Sequence, residues 1–92
     1  MLVILDEAKA YLRVDGTEED SEITQLMLTA RELGMAVARA GSTAEFEALG
    51  KPARMAVLYG TAYLYEHRED ADYHALTMTM RSLLFGVRKE GF

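Results

Sequence analysis

The sequence predicts an all-α fold, and three observations support this. Apolar residues recur at spacings of three and four over residues 23–37 and 53–64, which is the period of one helix face. Residues that favour helix ends flank these segments. The chain shows no hairpin signal and no sustained alternation of apolar and polar residues. We therefore expect one domain, residues 1–92, folded as a small helical bundle of three main helices plus a short closing C-terminal helix.

The first two helices are predicted over residues 5–14 and from Thr17 to about Ala40. The first carries acids in its first turn, where the helix dipole favours them. Thr17 has the hydroxyl of a typical N-cap, and Asp20 stands three positions later, where a capping box places an acidic or amide side chain. Gly41 is expected to end the second helix, because glycine adopts the left-handed backbone found at helix ends.

A short helical turn and the third long helix follow. Ser42 and Glu45 have capping-box spacing, and Gly50 is expected to end that turn. Pro52 is expected to open the long helix, because proline is tolerated in a first turn. This helix is apolar nearly all round, which is typical of a central, buried helix. Gly60 within it is predicted to be a point of close helix packing.

Residues 68–74 are predicted to form a loop before a final helix of about ten residues. Gly86 is expected to end or bend that helix. Its inner side is expected to carry the apolar residues that recur at helical spacing, which are Leu76, Met80, Leu83, Leu84 and Val87.

Composition and charge exclude several classes of site. The absence of cysteine excludes disulfides, thiolate catalysis and zinc sites built on cysteine. No apolar run approaches the length of a membrane span. The net charge is −5, and residues 1–50 hold four basic and ten acidic side chains. This acidic half disfavours a dedicated nucleic-acid binder and favours a partner with a basic surface.

The segment "YLYEHRED" suggests chemistry, since a histidine among carboxylates serves as a base, a metal ligand or a pH switch. His67 and His74, however, are seven residues apart, whereas helical metal ligands share a face at three or four. We expect no metal, no cofactor and no catalytic residue. The alternative interpretation is a polar cluster at a helix end, in which Arg68 pairs locally with Glu66, Glu69 or Asp70. The cluster comprises Glu66, His67, Arg68 and Glu69.

Two charged segments are candidate interface surfaces. The first, the acidic turn over residues 15–22, lacks the glycine that an EF-hand loop requires. Its acids therefore either complement a helix dipole or face a basic partner. The tail carries a net charge of +2 over residues 81–92, too little for useful DNA affinity, and either docks on a neighbouring subunit or closes the core. The candidate residues are Asp15, Glu18, Glu19, Asp20 and Glu22 in the turn, and Arg81, Phe85, Arg88, Lys89 and Phe92 in the tail.

The order of these segments resembles the small head-tail connector proteins of tailed double-stranded DNA phages and prophages, some of which are described only as possible DNA-packaging proteins. The resemblance rests on "LDEAKAYLRVDGTEEDSEITQLMLTARE", on a proline-opened apolar helix ending in "YLYEHRED", and on "LLFGVRK". It covers residues 5–37, 52–69 and 83–88. The chain departs from the family's usual "LLxPYR", because it has neither the proline nor the tyrosine of that motif.

The resemblance implies a structural, non-enzymatic subunit that assembles into a homo-oligomeric ring beneath the portal protein. Such a ring joins the DNA-filled head to tail or stopper proteins, and DNA passes through its lumen without being read. The implied location is the head-tail junction of the virion, after assembly in the host bacterial cytoplasm. The alternative, from another class, is a small acidic helical regulatory or adaptor protein that binds a basic protein. No catalytic motif in the sequence favours a small enzyme.

Overall fold

The computed structural model describes residues 3–86, and this range contains five helices and no strand. The helices are α1 (Leu5–Leu12), α2 (Asp20–Ala38), α3 (Thr43–Glu47), α4 (Lys51–Glu66) and α5 (Tyr73–Leu83). The predicted all-α class is therefore confirmed. None of these helices is long and apolar enough to cross a membrane.

Helices α2 and α4 form the centre of the molecule. The start of α2 lies beside the end of α4, so the two helices run antiparallel. Helices α1, α3 and α5 each pack on both of them, whereas α1 and α5 do not contact each other within residues 3–86. The predicted central position of α4 is confirmed by its buried side, which comprises Ala53, Ala56, Val57, Leu58, Gly60, Thr61 and Leu64.

Two buried glycines let neighbouring elements approach closely. A Cβ atom at Gly60 would lie 2.9 Å from Cβ of Ala30 in α2 and 2.5 Å from Cε of Met80 in α5. The predicted role of Gly60 as a packing point is thus confirmed. At Gly34, a Cβ atom would lie 2.9 Å from the ring of Phe46. Phe46 itself is fully buried, so α3 is fixed to α2 by an aromatic ring placed against a glycine.

The ends of α1 and α2 differ from prediction in the residue that turns the chain. Arg13 (φ 62°) and Arg39 (φ 57°) have left-handed backbone conformations, so neither helix uses a glycine there. In each case the N–H of the next residue donates to the carbonyl five residues earlier. After α1, the Val14 N–H donates to the Lys9 carbonyl at 2.9 Å. Helix α2 therefore ends before the predicted Gly41.

Helix starts follow the predictions at two of three sites. Ser42 caps α3, because its hydroxyl accepts the Glu45 N–H at 3.1 Å, and Pro52 lies in the first turn of α4. The predicted cap at Thr17 is wrong. The N-cap of α2 is Glu19, whose side chain does not cap the helix. Asp20 instead lies 2.7 Å from the Lys9 ammonium of α1.

Candidate functional site

The end of α4 and the start of α2 are joined by an ion-pair network centred on Arg68. Its Nη1 atom donates to Glu19 at 3.0 Å and to Glu22 at 2.8 Å. These carboxylates belong to the predicted acidic turn, whereas Arg68 belongs to the predicted helix-end cluster. The structure thus brings together two groups that the sequence treats separately, and the partners of Arg68 differ from its expected local ones.

Tyr65 completes this network, which we call the Arg68 cluster (Glu19, Glu22, Tyr65 and Arg68). Its hydroxyl donates to the Glu19 carboxylate at 2.6 Å, and its ring lies 4.5 Å from the Arg68 guanidinium carbon. That distance is within the range of a cation–π contact.

The network shifts the proton affinity of its members. The hydrogen bonds from Tyr65 and then Arg68 lower the pKa of Glu19 below its ordinary value of 4.5. The hydrogen bond to the same carboxylate raises the pKa of the Tyr65 hydroxyl, because losing that proton would break the bond and place two negative charges side by side. The Arg68 side chain is 40% exposed, so salt and solvent weaken these attractions.

A second pair of contacts attaches α1 to the central helices. Arg54 of α4 pairs with Glu7, which also accepts the Ile4 N–H at 3.3 Å at the start of α1. The hydrogen bond from Arg54 is the largest cause of the lowered pKa of Glu7. With the Lys9–Asp20 pair, α1 is thereby tied to both α4 and α2.

The predicted interface residues are distributed over different parts of the surface. In the acidic turn, Glu19, Asp20 and Glu22 bind cations of the same chain, whereas Asp15 and Glu18 are exposed. Glu66 and Glu69 are also exposed. In the tail, Arg81 is exposed and Phe85 has an exposed fraction of 80%. Three predicted tail residues lie outside residues 3–86: Arg88, Lys89 and Phe92.

His67 occupies the C-cap of α4, as predicted for a helix-end residue. Its Nδ1 atom lies 2.9 Å from the Tyr63 carbonyl, and its ring stacks on Tyr63 with centroids 4.1 Å apart. Tyr63 in turn stacks on Tyr59. Among residues 3–86, no group of three or more histidine, aspartate or glutamate side chains is arranged to hold a metal ion.

Four of the chain's five tyrosines line one open groove of about 600 Å³ between the end of α1 and the second half of α4. We call it the tyrosine groove (Tyr11, Tyr59, Tyr63 and Tyr65), and Glu66 also lines it. Sequence reasoning missed this groove, since Tyr11 is far from the others along the chain. The spacing of Tyr59, Tyr63 and Glu66, four and then three residues apart on one helix face, is the signal from which the α4 side of the groove could have been predicted.

Comparison of the chain with protein-family models, with curated protein sequences and with solved structures found no match. Its function is therefore inferred from its own residues and their geometry.

Proposed function

We propose that this protein is a structural subunit of a phage or prophage head-tail connector, which assembles into a ring beneath the portal and joins the DNA-filled head to the tail. The motifs "EAKAYLRVD", "YLYEHRE" and "LLFGVR" support this proposal through their order and spacing. The proposal includes the expected arrangement of three main helices closed by a short C-terminal helix.

One structural observation carries the proposal. Phe85 is 80% exposed at the end of α5, directly before a segment that contains two further cations and a second phenylalanine. An aromatic side chain left in water at this position gains stability when a partner covers it. A subunit that completes its fold by contact with a neighbour has this property.

The charge of the chain suits a ring through which DNA passes. At a net charge of −5, the subunit as a whole repels a phosphate backbone, so a ring of such subunits would let DNA pass without holding it. The proposed partners are further copies of this chain, the portal protein, and tail or stopper proteins. The proposed location is the head-tail junction.

Negative-stain electron microscopy of the purified protein, alone at high concentration and mixed with the portal protein encoded in the same genome, tests this function. We expect closed rings in at least one of the two samples, coaxial with the portal when it is present. Particles that stay monomeric in both samples would contradict the proposal.

The second candidate function is an acidic adaptor that binds a basic protein, and the tyrosine groove favours it. Tyrosine side chains are enriched at protein interfaces, and Glu66 supplies a carboxylate at this groove, which Arg13 also lines. Gene neighbourhood separates the two candidates. Portal, protease and capsid genes upstream support the connector, whereas an adjacent gene for a basic enzyme or DNA-binding protein supports the adaptor.

A further inference from the structure

The tyrosine groove has the chemistry of a docking site for a helix of another protein. Tyr11 is 47% exposed, and the other three tyrosines are half-buried. The faces of those three rings are partly occupied by stacking on one another, on His67 and under Arg68, so only part of each ring meets solvent. Tyrosine supplies a large contact area at a low cost in side-chain entropy, which explains its enrichment where proteins meet. The lining also holds one carboxylate, from Glu66, and one guanidinium, from Arg13.

The outer side of α5 has the complementary chemistry. Met78 is 49% exposed and Phe85, just beyond the helix, is 80% exposed, with the exposed Arg81 between them. A spacing of three residues places Met78 and Arg81 on one face of α5, as in helices that dock into grooves, and Phe85 follows in the turn directly after the helix. We call these residues the α5 stripe. Leu76 and Met80, on the opposite side of α5, are fully buried, so their packing in the core keeps the stripe at the surface.

We propose that the α5 stripe of one copy of this chain binds in the tyrosine groove of a second copy. Met78 and Phe85 would cover the exposed parts of the tyrosine rings, and Arg81 would pair with Glu66. Apolar burial supplies most of the affinity in this contact, and the single ion pair fixes the register.

The positions of the two surfaces make this contact directional. The groove lies between α1 and α4, whereas the stripe is on α5, and α1 and α5 do not touch within residues 3–86. Two unlike surfaces on one subunit give a heterologous contact, which closes into a ring or continues as a filament. The inference rests on the proposed ring function, since it names the surfaces through which that ring would close.

Directed disulfide trapping tests the contact, because the chain has no cysteine of its own. Ala62→Cys places a thiol in the groove, and Phe85→Cys places one on the stripe. The two single variants are mixed at high concentration under mild oxidation. We expect a cross-linked dimer that contains one copy of each variant. It should form several-fold faster than the dimer from the control pair Gln25→Cys and Phe85→Cys, because residue 25 is exposed on α2, outside the groove.

Charge reversal provides a second measurement on the same contact. In the cross-linking assay, Glu66→Arg in the groove partner or Arg81→Glu in the stripe partner should each cause loss of the preferential cross-link. Both reversals together should restore it. Circular dichroism checks that each variant is folded, and both positions are exposed, so neither change alters the core.

The outcomes separate this inference from the connector function. Rings in micrographs without a preferential Ala62→Cys to Phe85→Cys cross-link would overturn the groove contact and leave the connector standing. A preferential cross-link without rings on the portal would support the contact and count against the connector. If a chain carrying both cysteines closes within itself at a rate independent of concentration, the stripe binds its own groove and the inference fails.

Discussion

Arg68 shows how a single side chain links distant parts of this chain. It binds two carboxylates that are 46 and 49 residues earlier in the sequence, and it covers the ring of Tyr65 three residues before it. No local pattern reveals such a pair, because every acidic residue near Arg68 is an equally good partner on charge alone. Only the antiparallel packing of α2 on α4 selects Glu19 and Glu22.

The lowered pKa of Glu19 predicts a dependence of stability on pH. The folded state holds the Glu19 proton less tightly than the unfolded state, so this contribution is present above the ordinary value of 4.5 and is lost as pH falls through the folded-state pKa. Glu19→Gln should therefore be less stable than the parent near neutral pH, and the difference should shrink in acid. Urea unfolding at several pH values measures it.

Glu69→Gln is the matched control, because this carboxylate is exposed in the same part of the molecule. It should follow the parent protein across the whole pH range. A Glu19→Gln variant that keeps the same stability difference in acid as at neutral pH would show that the Arg68 cluster does not depend on the charge of this residue.

The left-handed arginine after α1 predicts a stabilising substitution. Arg13→Gly should raise the free energy of unfolding by about 0.5–1 kcal/mol, because a left-handed backbone costs an L-residue about 1–2 kcal/mol and glycine's larger unfolded-state entropy offsets part of the gain. Thermal unfolding measures the change. Arg13→Ala removes the same side chain but keeps the strained backbone, so it should not stabilise, and equal gains in both variants would refute the explanation.

At the scale of elements, the apolar periodicity and the residues typical of helix ends placed the helices along the chain, but they did not place every helix end. Ser42 and Pro52 affect only backbone groups within a few residues of themselves, so the sequence alone identifies the starts of α3 and α4. Thr17 satisfies the same local rule, yet the ion pair between Asp20 and Lys9 of α1 lies where the cap was expected. The Asp20 carboxylate is thus engaged by a tertiary contact, which depends on packing that one helix pattern does not contain.

Packing of α4 against its neighbours predicts the effect of enlarging Gly60. Gly60→Leu should lower the free energy of unfolding by about 1–3 kcal/mol, because overpacking a close contact forces neighbouring atoms to move. The Ala30 Cβ atom is the less yielding neighbour, since the Met80 methyl is the end of a flexible side chain. Chemical denaturation followed by circular dichroism measures the loss.

Ala62→Leu serves as the control for this prediction, since it adds a large side chain two residues along the same helix at a half-exposed position. It should change stability little. If both variants are equally destabilised, the cost comes from the helix itself and not from the contact with α2 and α5.

At the scale of the whole molecule, the described residues measure 42 × 27 × 17 Å. Their candidate interface surfaces differ in how much of each is already occupied by contacts within the chain. The predicted acidic turn is largely occupied by cations of its own chain, so it offers a partner less charge than its composition suggests. The tyrosine groove and the exposed end of α5 were not recognisable as a pair from sequence, because each depends on which helix faces are left uncovered after folding.

Removal of residues 85–92 tests the tail at this scale. We expect this truncation to abolish rings while leaving the helical circular dichroism largely intact, because Leu84 and the rest of the buried core remain. Reversal of Arg81 and Arg88 to glutamate should weaken rings without abolishing them, since exposed charges contribute less than apolar burial. Rings formed by the truncated protein would place the subunit contact on the long helices instead.

The clustering of tyrosines also makes the protein its own optical probe. The chain contains no tryptophan, so its near-ultraviolet signal comes mainly from five tyrosines, four of which share one groove. Any molecule that covers this groove changes the surroundings of most of the absorbing rings at once. Occupancy of the groove can therefore be followed by near-ultraviolet circular dichroism in the unmodified protein, with no dye attached and no residue replaced.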